Sequence, residues 1–554
     1  MTRHKYSRRE MLKFASLFVV TTPAITRACR GAEASASASA STSNTPGRVS
    51  GQPQAAEVGH AILREGGNAI DAIVAAALTA GVVAPNSCGI GGYGGHMVLS
   101  VNDGKKIIAI DFNSTAPSAA SEVMFAADAA GNVPGRIHEH GWLAAGVPGT
   151  LAGLQLVLDR FGTRSFREVA APAIRFARDG FRVSDGFARA TKAMAAQLRK
   201  DVGSSQWLLK NGEPLVAGDQ YRNPALGEML AALAADNSVK SFYNGAIAQK
   251  IAEAFRKNGG LVTTSDLAAY RAREVPCLEL SWGEFHLHTA PLTAGGLTLL
   301  QALTFLKELK WMEMAAGPAR SHALIEALRI AWKDRLEFLG DPDHAKIPVN
   351  RLLSSDYAKT MVEKVRGAVK NQKALAWSTV PRPATGTIHL NSVDRKGNAV
   401  ALTLTHGNAF GACVTVDDLG LTLGHGMSRF DPRPGHPNSP GPNKRPLHNM
   451  CPTIVTRNGR PVLVIGGTGG RMIPNAIFNV LTEFLTSGAT MEQAINAPRC
   501  HTEGTLDLRL ESRWPANEVE YLKTAGYQIK IGASATVHAL ALDSSGGPIR
   551  AASR

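Results

Sequence analysis

The stretch GTIHLNSVDRKGNAVALTLT, residues 386–405, constrains this chain more than any other. Apolar and polar residues alternate, a four-residue RKGN turn intervenes, and a second alternating run, AVALTLT, follows, which is the pattern of a β-hairpin. Thr387 opens the first strand and Thr405 lies at the end of the second. A threonine hydroxyl is a weak nucleophile without a base beside it. A chain cut just before Thr387 acquires one, because the freed α-amine, with an ordinary pKa of about 7.7–8.0, is neutral often enough near pH 7 to take the hydroxyl proton. Gly386 suits such a cut, since a residue without Cβ tolerates unusual backbone and lets a hydroxyl approach its carbonyl. Taken alone, the segment reads more readily as a plain buried hairpin.

The first 34 residues do not belong to that fold. SRREMLK, residues 7–13, carries paired arginines ahead of the short apolar run FASLFVVTTPAI, which is too short for an ordinary membrane-spanning helix. Paired arginine before a short apolar stretch resembles a bacterial twin-arginine export signal and predicts an exported, periplasmic or extracellular protein. Residues 1–34 hold seven basic and two acidic residues, so their removal takes the formal charge from +15 to +10. The remaining excess forms no basic tract with interleaved aromatics, which argues against nucleic-acid binding. Residues 35–48 continue an Ala/Ser-rich, flexible spacer. Cys29 just before it is a candidate lipid anchor, although the preceding TRA is a poor context for one. The other five cysteines, Cys88, Cys277, Cys413, Cys451 and Cys500, have no CxxC spacing, so no zinc site or disulfide framework is indicated.

Beyond the spacer, helical patterns alternate with strand patterns. Asn68 is placed to cap the Ala-rich helix AIDAIVAAALTAGVV, residues 142–260 are mostly helical, and strands return around LELSWGEFHLHTAP and VLVIGG. Hydrophobic strands flanked by helix-rich segments predict layered sheets covered by helices, an α/β class. Gly89, Gly91 and Gly94 match G-x-G-x-x-G, but the loop follows a helix and precedes a strand, the wrong order for a dinucleotide site. A tight structural loop is the better reading, and no cofactor is expected. His138 and His140 lack a third ligand nearby, so no metal is expected either. In VIGGTGGRMIPN a strand enters a Gly-rich turn that opens a helix, a setting in which the backbone N–H groups of Gly469 and Gly470 can converge on an oxyanion.

Several long segments occur together and in order: AILREGGNAIDAIVAAAL, AGVPGTLAGLQLVLDRFG, PAIRFARDGFRVSDG, FYNGAIAQKIAEAFRKNGGLVTTSDLAAYRA and GPNKRPLHNMCPTIV. With the Thr387 hairpin and GGTGG they resemble the gamma-glutamyltransferase (gamma-glutamyl transpeptidase) family over about residues 48–554. The resemblance implies a four-layer αββα N-terminal-nucleophile hydrolase fold. It also implies a precursor that cuts itself between Gly386 and Thr387 into a large subunit, 49–386, and a small catalytic subunit, 387–554, which stay together. Thr387 matches the nucleophile, Thr405 the threonine that hydrogen-bonds it, and Gly469 and Gly470 the oxyanion donors. The implied reaction is ping-pong: an acyl-enzyme forms on Thr387 from a small amide or peptide such as a glutathione-like gamma-glutamyl compound, and water or an acceptor amine releases it. Thr385 is a second candidate nucleophile that fits the T-x-H pattern less well.

The substrate-recognition positions depart from the family. Asn113 stands where the family has the arginine that holds the glutamyl α-carboxylate. His448-Asn449 replaces a Ser-Ser pair with the same task, and Gly407 and Arg429 replace the asparagine and the acidic residue that hold the α-ammonium. The loop between Phe430 and Gly441 is too short for the lid of many relatives. A guanidinium where an ammonium should bind is repulsive. Three readings are therefore open: a gamma-glutamyltransferase, an exported amidase for a different acyl group such as glutaryl, or a binding homologue without catalysis.

Overall fold

The computed structural model describes residues 47–129, 131–377, 387–543 and 547–554. The export signal, most of the spacer, Cys29, Thr385 and Gly386 lie outside the described residues. The expected spacer nevertheless ends earlier than residue 48. Gly47–Ser50 is already a strand, because Arg48 and Val49 pair with Val393 and Ser392 at the edge of a sheet.

The hairpin forms as the sequence predicts. Strands Ile388–Asp394 and Ala399–Thr405 are antiparallel, with Ile388 opposite Leu404, and residues 395–398 make the turn. Asp394 holds that turn together by accepting from the N–H groups of Lys396 and Asn398 and from the Asn398 side chain. The hairpin is the inner part of a six-stranded antiparallel sheet, in the order Gly47–Ser50, Ile388–Asp394, Ala399–Thr405, Gly94–Val101, Lys106–Asp111, Arg273–Val275. A second six-stranded antiparallel sheet runs Arg550–Ser553, Thr536–Ala541, Arg460–Thr468, Thr453–Arg457, Phe285–Thr289, Leu278–Trp282.

The two sheets stack face to face. Val98, Ala109, Val393, Ala399 and Ala401 of the first meet Ile454, Val464 and Leu540 of the second in one apolar cluster. Helices cover the outer faces. The Ala-rich helix Ala69–Val83 is wholly buried on the first sheet against Ile388, Leu390, Val400, Leu402 and Leu404. Its start is fixed by a capping box in which Asn68 accepts from the N–H of Asp71 while Asp71 accepts from that of Asn68. Helices Gly296–Glu308, Pro318–Phe338 and Met472–Thr486 cover the second sheet. This is the αββα sandwich expected from the sequence.

Both faces of the hairpin are therefore inside the protein. Its alternation does not separate core from water, as it would in a half-exposed sheet. It separates an apolar face under the helices from a face that points at the other sheet and carries His389, Asn391, Thr403 and Thr405. That buried polar row is satisfied internally: His389 Nδ1 is 2.8 Å from Thr403 Oγ1, and its Nε2 is 2.8 Å from Asn391 Oδ1. Burial pushes the His389 imidazole pKa down to about 3, so it is neutral. Among the described residues no helix is long and apolar enough to cross a membrane.

Candidate active site

Thr387 sits immediately before the strand Ile388–Asp394, and its hydroxyl donates to Thr405 Oγ1 at 3.3 Å. The contact follows from register, since Ile388 pairs with Leu404 and the next residues outward are Thr387 and Thr405. Both threonines are buried. Thr405 Oγ1 also accepts the backbone N–H of Gly407 at 2.8 Å.

Gly469 and Gly470 lie where the strand Arg460–Thr468 turns into the helix Met472–Thr486. Both have positive φ, +142° and +62°, and a Cβ at Gly469 would stand 2.9 Å from Ala535. Glycine is required there for conformation and for space. The same strand lies against the hairpin, because a Cβ at Gly466 would meet His389 Cε1 at 2.1 Å. The Gly-Gly turn thus follows the part of its strand that touches the beginning of the Thr387 strand.

The positions that depart from the family also gather here, though not all in the same way. Arg429 closes the short helical turn Gly426–Arg429, half-buried. Its guanidinium lies 3.4 Å from His425 Nε2. His425 Nε2 accepts the Asn408 N–H at 2.8 Å while Nδ1 faces the Glu139 carbonyl at 3.1 Å, so the ring is neutral with its proton on Nδ1. Burial, followed by the nearby Arg429, holds the His425 pKa well below the usual imidazole value. Among the described residues no carboxylate pairs with Arg429, and its neighbour His425 is neutral.

His448 is buried with its ring 4.5 Å from that of Tyr93. Burial, with His96, Arg429 and Arg335 around it, keeps it neutral. Its Nε2 is hydrogen-bonded to Asn113 Oδ1. Asn113 Nδ2 is meanwhile committed to Thr293 Oγ1 at 2.6 Å and the Pro446 carbonyl at 2.7 Å, so Oδ1 is the acceptor and the His448 proton is on Nε2. Asn113 is thus fully engaged and supports His448 from beneath. Asn449 is also turned inward, its Oδ1 accepting from Arg335 at 3.3 Å. Arg335 also binds the His448 carbonyl, and burial lowers its pKa to about 9. Beneath Asn113, burial alone would raise the pKa of Asp111, but His96, Arg445, Arg273 and the Asn113 N–H hold the carboxylate low.

Gly407 has a structural reason to be glycine. A Cβ there would lie 2.0 Å from His425 Cδ2 and Nε2 and 2.9 Å from Tyr93 Cε1, at a φ of +101°. The sequence reading passed over Tyr93 and His425. The available signal was a lone tyrosine inside a glycine run and a histidine four residues before the anomalous Arg429. His138 and His140 flank Glu139, whose carbonyl faces His425, and among the described residues no group of His, Cys, Asp and Glu is arranged to hold a metal ion. The G-x-G-x-x-G loop connects the helix Ala69–Val83 to the strand Gly94–Val101, as a structural loop does.

The chain is 35% identical over 493 residues to the glutathione hydrolase proenzyme of Escherichia coli, covering 86% of this chain and 84% of that protein. It is 31% identical over 491 residues to the acylase ACY 1 proenzyme of a Pseudomonas strain, covering 87% and 86%. Among solved structures, cephalosporin acylase from Bacillus halodurans superposes with a TM-score of 0.82 at 26% identity over 92% of this chain and 94% of that one. Helicobacter pylori gamma-glutamyltranspeptidase gives 0.55 at 32% identity, over 59% of this chain and 93% of that one. The gamma-glutamyltranspeptidase family model matches residues 55–553, and this chain belongs to that family of N-terminal-nucleophile hydrolases.

Proposed function

We propose that this protein is an exported, self-cutting amidohydrolase and acyltransferase whose nucleophile is Thr387. The observation that carries the reading is the Thr387 hydroxyl, buried at the head of its strand and 3.3 Å from the Thr405 hydroxyl, in a family that contains glutathione hydrolase proenzymes. In the precursor, Thr387 Oγ attacks the Gly386 carbonyl carbon, the peptide C–N bond breaks, and water hydrolyses the resulting ester. This separates a large subunit, 49–386, from a small one, 387–554. The freed α-amine of Thr387 then takes the hydroxyl proton as Oγ attacks a substrate amide. The N–H groups of Gly469 and Gly470 stabilise the oxyanion, and the amine returns the proton to the leaving nitrogen. Water or an acceptor amine releases the acyl group from Oγ. The twin-arginine-type segment within residues 1–34 supports export to the periplasm or beyond.

Mass and N-terminal sequence of the fragments in purified protein test this directly. A fragment beginning at Thr387 that is absent from Thr387→Ala is the expected result. A chain that stays whole on long incubation would leave the binding-homologue reading in its place.

For the acyl donor, the general family reading is a gamma-glutamyl compound. A second reading is favoured by Arg429, which pairs with no carboxylate among the described residues and lies 3.4 Å from the neutral His425. A cation there repels an α-ammonium and suits an acyl group ending in a carboxylate without an α-amine, such as glutaryl. Asn113 supports this, because it supplies no positive charge for an α-carboxylate. The ratio of kcat/KM on glutaryl and gamma-glutamyl anilides decides between the two, and a clear gamma-glutamyl preference would refute the second.

A further inference from the structure

His389 follows Thr387 by two residues, so both side chains leave the same face of their strand. The imidazole is buried and held by two hydrogen bonds. Its Nδ1 lies 2.8 Å from Oγ1 of Thr403, the residue opposite it in the hairpin, and its Nε2 lies 2.8 Å from Asn391 Oδ1. Asn391 Nδ2 donates to the His538 carbonyl at 3.0 Å and to Ser50 Oγ at 3.3 Å, which makes Oδ1 the acceptor. The His389 proton is therefore on Nε2, and Nδ1 accepts from the Thr403 hydroxyl. Both ring nitrogens are committed, which leaves the imidazole no proton or lone pair for chemistry.

The ring instead presses on the other sheet. A Cβ at Gly466 would stand 2.1 Å from His389 Cε1, 2.4 Å from Nδ1 and 2.5 Å from Nε2, so the edge of the imidazole rests on the Gly466 backbone. Only glycine leaves it that room. Gly466 pairs with His538, whose carbonyl is the one that Asn391 binds. His389 and Asn391 thus grip two neighbouring strands of the second sheet at one level. One of them, Arg460–Thr468, runs on into Gly469 and Gly470. The grip is two residues from Thr387 along one strand and three from Gly469 along the other, roughly 7 and 10 Å at a strand rise of about 3.3 Å per residue.

We propose that His389 is a positioning residue for the reaction: wedged between the sheets and locked by Thr403 and Asn391, it sets the distance between the Thr387 hydroxyl and the backbone N–H groups of Gly469 and Gly470. Nucleophile and oxyanion donors belong to different sheets, between which no backbone ladder runs. Their separation therefore depends on the side chains packed between the sheets, and a rigid ring bonded on both sides holds it more closely than an aliphatic chain can. An error of about 1 Å in such a distance can cost about 10²-fold in rate. The proposal rests on Thr387 being the nucleophile and on the Gly469–Gly470 turn receiving the oxyanion.

His389→Leu keeps a spacer between the sheets and gives up both hydrogen bonds. With purified, cut enzyme and an acyl anilide as donor, kcat is expected to fall at least tenfold while KM changes less than threefold. The tetrahedral geometry is read separately with the boronic acid analogue of the same acyl group, whose boron bonds Thr387 Oγ and sets an oxygen at the oxyanion position. Its Ki is expected to rise at least tenfold in the variant, while the Ki of the free carboxylic acid product stays within threefold. An unchanged kcat would overturn the proposal. So would equal weakening of the two inhibitors, which is what a general loosening of the pocket produces. Should His389→Leu fail to fold or to cut itself, Thr403→Val removes one of the two bonds and keeps the shape. A several-fold lower kcat with the same split between the inhibitors is then expected, and an unchanged kcat refutes the role. The wild-type fragment starting at Thr387 is checked first: its absence would remove the nucleophile assignment itself, whereas its presence with an unchanged kcat in the variants removes only His389.

Discussion

Gly407→Asn introduces the asparagine that the sequence resemblance implies for this position, and the structure predicts that it disrupts the protein. The new Cβ would lie 2.0 Å from two atoms of the His425 ring, at a backbone φ of +101°. A left-handed backbone costs a residue with a Cβ about 1–2 kcal/mol. His425 would have to leave its bonds to the Asn408 N–H and the Glu139 carbonyl, at about 1 kcal/mol each. Crowding in a packed interior adds about 1–3 kcal/mol. The total is about 4–7 kcal/mol, comparable to the whole stability of many domains. Thermal unfolding of the variant and wild type at one scan rate measures the loss. The decisive comparison is Gly407→Asn with His425→Gly, which removes the obstructing ring. The double variant should be more stable than Gly407→Asn alone by about 1–3 kcal/mol, the crowding that removal of the ring relieves. A single variant that melts like wild type, or a double variant with simply additive losses, would refute the argument that residues 407 and 425 compete for one volume.

Other outcomes follow from the same structure. Burial pushes the pKa of His389 and His406 down to about 3 and that of His96 and His538 down to about 4. Unfolded imidazoles protonate at about 6.5, so between pH 6.5 and 4 the unfolded chain binds more protons; stability is complete above pH 6.5 and falls on acidification, by up to about 1.4 kcal/mol per group per pH unit. Melting temperatures that stay flat from pH 7 to 4.5 would contradict this. Gly469→Ala places a Cβ 2.9 Å from Ala535 and disturbs the proposed oxyanion donor, and a fall in kcat of about 10²-fold is expected; an unchanged kcat would exclude Gly469 from that role. Burial raises the thiol pKa of Cys277, Cys413 and Cys500 to about 12 and of Cys451 to about 11. Peptide mapping after iodoacetamide treatment of the folded protein at pH 8 should find the buried Cys413, Cys451 and Cys500 unmodified and the half-buried Cys277 slow to react, and rapid labelling of the buried three would contradict their burial.

Much of this was legible in the sequence because it depends on local pattern. The RKGN turn, the Asn68 cap, the Ala-rich helix and the strand that ends in GGTGG are each specified by neighbouring residues, and each forms where expected. Two kinds of feature were not legible. The edge strand Gly47–Ser50 looks like the end of a Ser-rich spacer, and only the waiting edge of Ile388–Asp394 makes it a strand. The pocket substitutions could be noticed one by one, but their coupling could not. Gly407 is explained by His425 and Asn113 by His448, each pair joined by contacts between separate loops. Sequence order gives such pairs no signature unless packing is known.

The two sheets carry a further consequence through the order of their strands. In the first, the pair Ile388–Asp394 and Ala399–Thr405 is flanked by strands from before residue 387, and in the second, Thr453–Arg457 lies between Phe285–Thr289 and Arg460–Thr468. A chain cut at 387 is thus two polypeptides woven into one another, neither with a complete sheet. The precursor folds as a single molecule, but the cut product would have to reassemble by a second-order encounter of two fragments with open edges. Its native state is then preserved by the slowness of its unfolding, not by a reversible equilibrium. Recovery after denaturation should depend on concentration and fail at dilution, whereas an uncut Thr387→Ala chain should refold at any dilution.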